Sequence, residues 1–160
     1  MIYFPQALTD SWLMEDISGG DLTTRALAIG EKAGVMTWRL RQGGCVSGIA
    51  PAVQMLQSLG LTVSQQAFDG AQAGPGDILL CANGRAEALH QGWKAVQNVL
   101  EWSCGVSSYV AQMLAVLHQR LPNGHIACTR KAIPGTRLLG TQAIVAAGGI
   151  IHRAGCAETL

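Results

Sequence analysis

Residues 126 to 151 read as strand, loop, helix and strand, and that order restricts the fold more than any other stretch of the chain. Ile126-Ala127-Cys128 is a short apolar run of the buried-strand kind, followed at once by the basic loop Thr129-Arg130-Lys131. Gln142 to Ala147 reads as a helix and leads through Gly148-Gly149 to Ile150-Ile151. Such an alternation opens a parallel α/β layer or barrel. A closed (β/α) barrel takes about 250 residues, whereas about 35 run from Ile126 to Leu160. The expectation is the start of such a barrel, not the whole.

Upstream, the pattern is mixed. Leu8 to Glu15 predicts a short helix, ended by turn chemistry from Asp16 to Asp21. Met36, Trp38 and Leu40 alternate with Thr37, Arg39 and Arg41, the period of a half-buried strand. Cys45 to Ser47, Leu61 to Phe68 and Ile78 to Ala82 read as further strands, with Asn83-Gly84 as a turn. Pro51 suits the first turn of a helix that runs to about Leu59 and stops at Gly60. From Arg85 to about Gln119, Leu89, Trp93, Val96, Leu100, Val110, Met113 and Leu117 recur at helical spacing. Cys104-Gly105 is expected to interrupt that pattern with a break or kink.

Composition excludes several classes. With 49% hydrophobic and 13% charged residues the chain is globular, and a net charge of +1 gives no reason to invoke nucleic acid or an anionic membrane. Any anion site has to be built locally. The five cysteines are widely spaced, with no C-x-x-C pair, so a reducing compartment and small core residues are expected, not a disulfide framework or zinc site. The N-terminus has no secretory pattern, and the longest apolar run, Ala143 to Ile151, is too short to cross a bilayer. A cytoplasmic protein is the default reading.

Three features carry possible chemistry, each with a duller alternative. Thr129-Arg130-Lys131 with Pro134-Gly135 and Arg137 gathers cations just past a buried strand, where α/β folds place ligands; a solvated basic loop is the other reading. Gly148-Gly149 with His152-Arg153 could approach a phosphate closely, or the glycines could serve packing alone. Lys94, Asn98, Glu101, Gly105 and Ser108 form a polar stripe on the long helix, ordinarily a solvent-facing one. No nucleophile elbow, P-loop or H-E-x-x-H motif is present, and His90 and His125 read as surface or hydrogen-bonding residues.

Taken in order, these segments resemble the quinolinate phosphoribosyltransferase (nicotinate-nucleotide pyrophosphorylase) family. Glu15-Asp16 with Gly20-Asp21-Leu22-Thr23-Thr24 resembles the family's opening E-D-x-x-x-G-D-[IL]-T-T. Thr129 to Arg137 resembles its T-R-K-x-x-P-G-x-R segment, and Gly148 to Gly155 its G-G-x-x-x-H-R-x-G segment. Lys94 to Asn98 and Cys104 to Val106 are similar to the helix written E-R-T-x-L-N…S-G-[IV]-A. Trp93-Lys94 replaces the family's Glu-Arg there, which resembles the subfamily encoded with molybdenum-transport genes, the ModD-type pyrophosphorylases.

The resemblance implies an α/β protein: an α+β N-terminal sandwich over residues 1–120, including the long connecting helix, then the first part of an open α/β barrel over 121–160. It implies phosphoribosyl transfer from phosphoribosyl pyrophosphate to a quinolinate-like nitrogen heterocycle, with Mg²⁺ on the pyrophosphate and metal ligands lying outside this chain. Lys94, Arg130, Lys131, His152 and Arg153 are then the substrate-binding residues, with no covalent nucleophile among them. A homodimer is implied in which Lys94 reaches the partner's site. Because the family continues into further barrel strands, the chain is read as C-terminally truncated and inactive alone; the alternative is a non-catalytic binding or dimerisation module.

Overall fold

The period-two run around Trp38 is a strand, β1 (Ala33–Arg39), in the computed structural model, which describes residues 2–17 and 19–152. Trp38 is buried while Val35, Thr37 and Arg39 are exposed, so one face of the strand meets the core. Ahead of it lie α1 (Gln6–Ile17) and the short α2 (Leu22–Ala26). After it come β2 (Gly44–Cys45), α3 (Ile49–Ser58), β3 (Thr62–Gln66), β4 (Gln72–Ala73) and β5 (Ile78–Arg85). β5 is the centre of an antiparallel sheet of order β1-β5-β3, and β2 pairs with β4. The core joins Trp38, Leu80 and Ala82 of the sheet to Ala52, Met55 and Leu56 of α3.

The long helical pattern is one helix, α4 (Ala86–His118), of 33 residues, and the expected break at Cys104-Gly105 does not occur. Gly105 is exposed with open space around it, so it costs the helix roughly 1 kcal/mol and no packing. Neighbouring bonds hold the backbone through that point. The Ser107 hydroxyl donates to the Cys45 carbonyl (2.5 Å), the Cys45 amide donates to Ser108 Oγ (2.9 Å), and the Cys104 thiol donates to the Ser47 carbonyl (3.4 Å). Ser108, assigned from sequence to a solvent stripe, therefore faces inward. Leu89, Val96, Leu100 and Val110 are buried as their spacing predicts, but Trp93 is 45% and Met113 44% exposed.

Two further expectations are corrected. Asn83-Gly84 is not a turn: β5 continues through both, because Val35 and Gly34 face them on one side and Thr62 pairs with Asn83 on the other. The cysteines are not uniformly core, since Cys45 and Cys104 are buried while Cys81 and Cys128 are only half-buried. Cys156 lies outside the described residues. No helix among them is long and apolar enough to cross a membrane.

Beyond α4, β6 (Ala127–Cys128), α5 (Arg137–Ala146) and β7 (Ile150–Ile151) complete the described chain, with β6 and β7 parallel. α5 begins five residues earlier than the sequence suggests, and its apolar Leu139 and Ala143 are buried. One carboxylate ties this part to the rest. Gly48, at the N-cap position of α3 with φ 87°, has no side chain to cap the helix. Asp69 substitutes: Oδ1 accepts from the Ile49 amide (3.0 Å) and Oδ2 from the Gln142 side chain on α5 (3.0 Å). Asp69→Ala is therefore expected to cost about 1–2 kcal/mol, while Asp69→Asn, still able to accept from Ile49, costs less than half of that. Urea denaturation of the two variants measures the difference.

Candidate functional site

The parallel register pairs Ala127 with Ile150 and Cys128 with Ile151. The residues just past each strand consequently leave the same, carboxyl, edge of the ladder: Thr129, Arg130 and Lys131 after β6, and His152 after β7. Lys131 and His152 are exposed and Arg130 half-buried. Arg153 lies outside the described residues. The basic loop is shaped by its own turns. The Lys131 amide donates to Thr129 Oγ1 (3.3 Å), and the Thr136 amide donates to the Ile133 carbonyl (3.1 Å) across Pro134-Gly135, with Gly135 at φ 85°. That is a type II turn with proline and glycine at the positions it demands. It delivers the chain to the start of α5.

The glycine pair before β7 has a structural task. Gly148, at φ 92°, ends α5, its amide donating to the Val145 carbonyl (3.0 Å). A Cβ on Gly149 would lie 2.6 Å from Ile144 Cγ2 and 2.9 Å from its carbonyl oxygen. Backbone conformation thus accounts for Gly148 and packing for Gly149. They set the path into β7 and so the position of His152.

A cavity of about 470 Å³ opens between the end of α1, the middle of α4 and the start of α5. Glu15, Asp16 and Asn98 supply its polar groups, Trp12 and Trp102 its aromatic walls, and Thr136 the side nearest the basic loop. Of the predicted stripe, only Asn98 lines it. Lys94 sits elsewhere, its Nζ 5.3 Å from the Trp93 ring centroid and donating to Gln97 Oε1 (3.4 Å). The sequence-predicted cations thus fall into two groups within one chain, the β6–β7 edge and the Trp93–Lys94 segment of α4.

A second cavity, of about 550 Å³, adjoins that segment and shares Asp16 with the first. Asp21, Met36, His90, Gln91 and Trp93 line it. Asp21 caps α2 by accepting from the Thr23 amide (3.0 Å) and also accepts from the Thr24 hydroxyl, which in turn meets His90 Nδ1 at 2.6 Å. Sequence reasoning placed Asp21 in a turn and read His90 as a surface or hydrogen-bonding residue, and the contact with Thr24 is such a bond. The D-x-x-T spacing of a capping residue and its third neighbour was visible, but His90 lies 66 residues from Thr24 and only the tertiary fold joins them. Position along α4 is fixed from the sheet, since the Trp38 indole N–H donates to the Trp93 carbonyl (3.1 Å).

The Thr24 hydroxyl, above all, holds the Asp21 carboxyl below its ordinary range; the Thr23 and Thr24 amides and His90 add to this, against a desolvation that opposes it. Burial pushes the Cys45 and Cys104 thiols up. Among the described residues no three His, Cys, Asp or Glu side chains gather into a metal-holding group. A folded carboxyl titrating below its unfolded value adds stability above the unfolded range, and that contribution drains away as pH falls through the folded value. Thr24→Val should therefore move the Asp21 titration upward, read from its carboxyl ¹³C shift, and flatten the acid-side loss of stability.

Compared with known proteins, residues 21–104 match the quinolinate phosphoribosyl transferase N-terminal domain and residues 106–160 the C-terminal domain of the same family. The change falls inside α4. A protein of Escherichia coli O6:H1 named as pyrophosphorylase ModD is 67% identical over 160 residues, covering 100% of this chain and 56% of its own length. A Rhodobacter capsulatus protein of the same name is 38% identical over 148 residues, covering 92% of this chain and 57% of its own length. The chain thus spans about half the length of the curated relatives it matches. NadC from Streptococcus pyogenes has the same fold, with a TM-score of 0.87 at 22% identity over 95% of this chain and 54% of that one.

Proposed function

Since the chain belongs to the quinolinate phosphoribosyl transferase family, we propose that it forms part of an enzyme transferring phosphoribose from phosphoribosyl pyrophosphate to the ring nitrogen of a heterocyclic acceptor, releasing pyrophosphate. The observation that carries this reading is the parallel β6–β7 pair, whose register brings Arg130, Lys131 and His152 to one edge. Departure of pyrophosphate leaves an oxocarbenium-like ribose and a highly charged leaving group. The protein's work is then to neutralise that charge and to hold the acceptor in line. Lys131 offers a compact cation and Arg130 a planar fork for phosphate or carboxylate oxygens. No side chain here needs to form a covalent intermediate.

Mg²⁺ on the pyrophosphate is part of the same proposal; among the described residues no three His, Cys, Asp or Glu side chains gather to hold it. Lys94 lies on a different part of the chain from the basic edge. A homodimer in which Lys94 meets the partner's substrate reconciles the two, as the resemblance implies. A cytoplasmic location and a gene encoded with molybdenum-transport genes belong to the same proposal, as the resemblance to the ModD-type subfamily implies.

The acceptor is expected to differ from quinolinate. A lysine at position 94 cannot reproduce the two-pronged hold of an arginine on a carboxylate. In a protein that includes the remaining barrel strands, labelled phosphoribosyl pyrophosphate should turn over, and Lys131→Ala should lower kcat/KM by about 10²–10³. Quinolinate should be a poor acceptor. Release of nicotinate mononucleotide from quinolinate at ordinary enzyme rates would contradict the subfamily reading, and unchanged kcat/KM in Lys131→Ala would contradict the site.

A further inference from the structure

We propose that the cavity lined by His90 and Trp93 recognises the acceptor, and that this acceptor is a nitrogen heterocycle without net charge bearing an N–H or O–H donor. The proposal rests on the transferase reading only in naming the ligand an acceptor; the site itself comes from the geometry. Thr24 has a single hydroxyl hydrogen, and it is committed to Asp21 Oδ2. Its oxygen can therefore only accept from His90, so Nδ1 carries a hydrogen, and Asp21 at 3.4 Å favours the same arrangement. With Nδ1 so engaged, Nε2 is the nitrogen left to meet a ligand, and in the neutral ring it is an acceptor. Thr24 is buried and anchors the ring from below.

The walls and the charge balance select the ligand. Trp93, 45% exposed on a helix whose aliphatic positions mostly turn inward, gives the cavity an aromatic surface, and Met36 a polarizable one. Two carboxylates, Asp16 and Asp21, border the space. Two cations stand beside lining residues without lining the space themselves: Lys94 against Trp93, and Arg25, whose guanidinium donates to the Gly19 carbonyl (3.1 Å) and lies 3.2 Å from where a Cβ on Gly20 would stand. The lining itself therefore holds two carboxylates and no Lys or Arg, in contrast to the basic β6–β7 edge. A dianion would enter against two carboxylates with no Lys or Arg in the lining to receive it. A flat ring with a donor for Nε2 matches both the walls and the charge.

Nicotinamide, nicotinate and quinolinate form a pyridine series of charge zero, minus one and minus two, and their binding to the full-length protein without phosphoribosyl pyrophosphate tests the idea by calorimetry. Nicotinamide should bind at least about tenfold more tightly than quinolinate. His90→Asn keeps a group at the Nδ1 position and removes Nε2, so nicotinamide binding should weaken about tenfold. His90→Gln, which restores an amide near the Nε2 position, should recover most of it, as a merely structural histidine would not. Quinolinate binding most tightly, or His90→Asn binding nicotinamide as the parent does, overturns the proposal. Binding in the expected pattern, with no turnover of labelled phosphoribosyl pyrophosphate, upholds the site and removes the transferase reading. Turnover that His90→Asn leaves untouched does the reverse.

Discussion

The whole molecule depends on a seam where backbone meets backbone almost directly. Along α4, Ser103, Cys104, Ser107 and Ser108 present small side chains on one face, and the segment from Gly44 to Gly48 lies against them. A Cβ on Gly44 would fall 2.2 Å from Ser108 Oγ, and one on Gly48 2.8 Å from Ser103 Oγ. Only glycine on one side and small residues on the other permit that approach. The gain is a set of buried hydrogen bonds from β2 to the helix. Their loss would leave backbone groups unsatisfied in the core at about 1–3 kcal/mol each. Through this seam the sheet layer fixes α4, and α4 in turn carries α5 and the β6–β7 pair.

Much of this was legible in the chain. The strand around Trp38 showed itself by period two, the long helix by its apolar recurrence, and the strand–loop–helix–strand order by the run from Ile126 to Ile151. The readings that failed did so for one kind of reason: a local signal was outvoted by a distant partner. Asn83-Gly84 is turn chemistry until strands pair with it on both sides. Gly105 is a helix breaker until the residues around it are bonded to β2. Trp93 has the spacing of a core residue, yet it falls at the edge of the buried arc beside a cavity. No periodicity foretells that.

The candidate site was only partly readable. Cations after a strand are a sequence-level signal, and the ladder shows why they matter: parallel pairing brings the loops after both strands to one edge. The Asp21–Thr24–His90 relay gave no comparable sign, since its members come from a helix cap and a second helix far along the chain. The two cavities meet at Asp16, on the last turn of α1. One acidic residue thus belongs to both surroundings, and changing it alters the field in each.

The unbroken α4 also acts as a ruler. At 1.5 Å per residue its 33 residues run for about 50 Å, and Trp93 and Trp102 stand about 13 Å apart along its axis. That spacing is set by helical rise and not by any loop, so these two aromatic walls keep their separation along the axis while the helix stays intact. With the seam near its middle, a tilt of about 5° would swing each end by roughly 2 Å in opposite senses. Any rigid-body shift of α4 therefore moves a wall of both cavities at once.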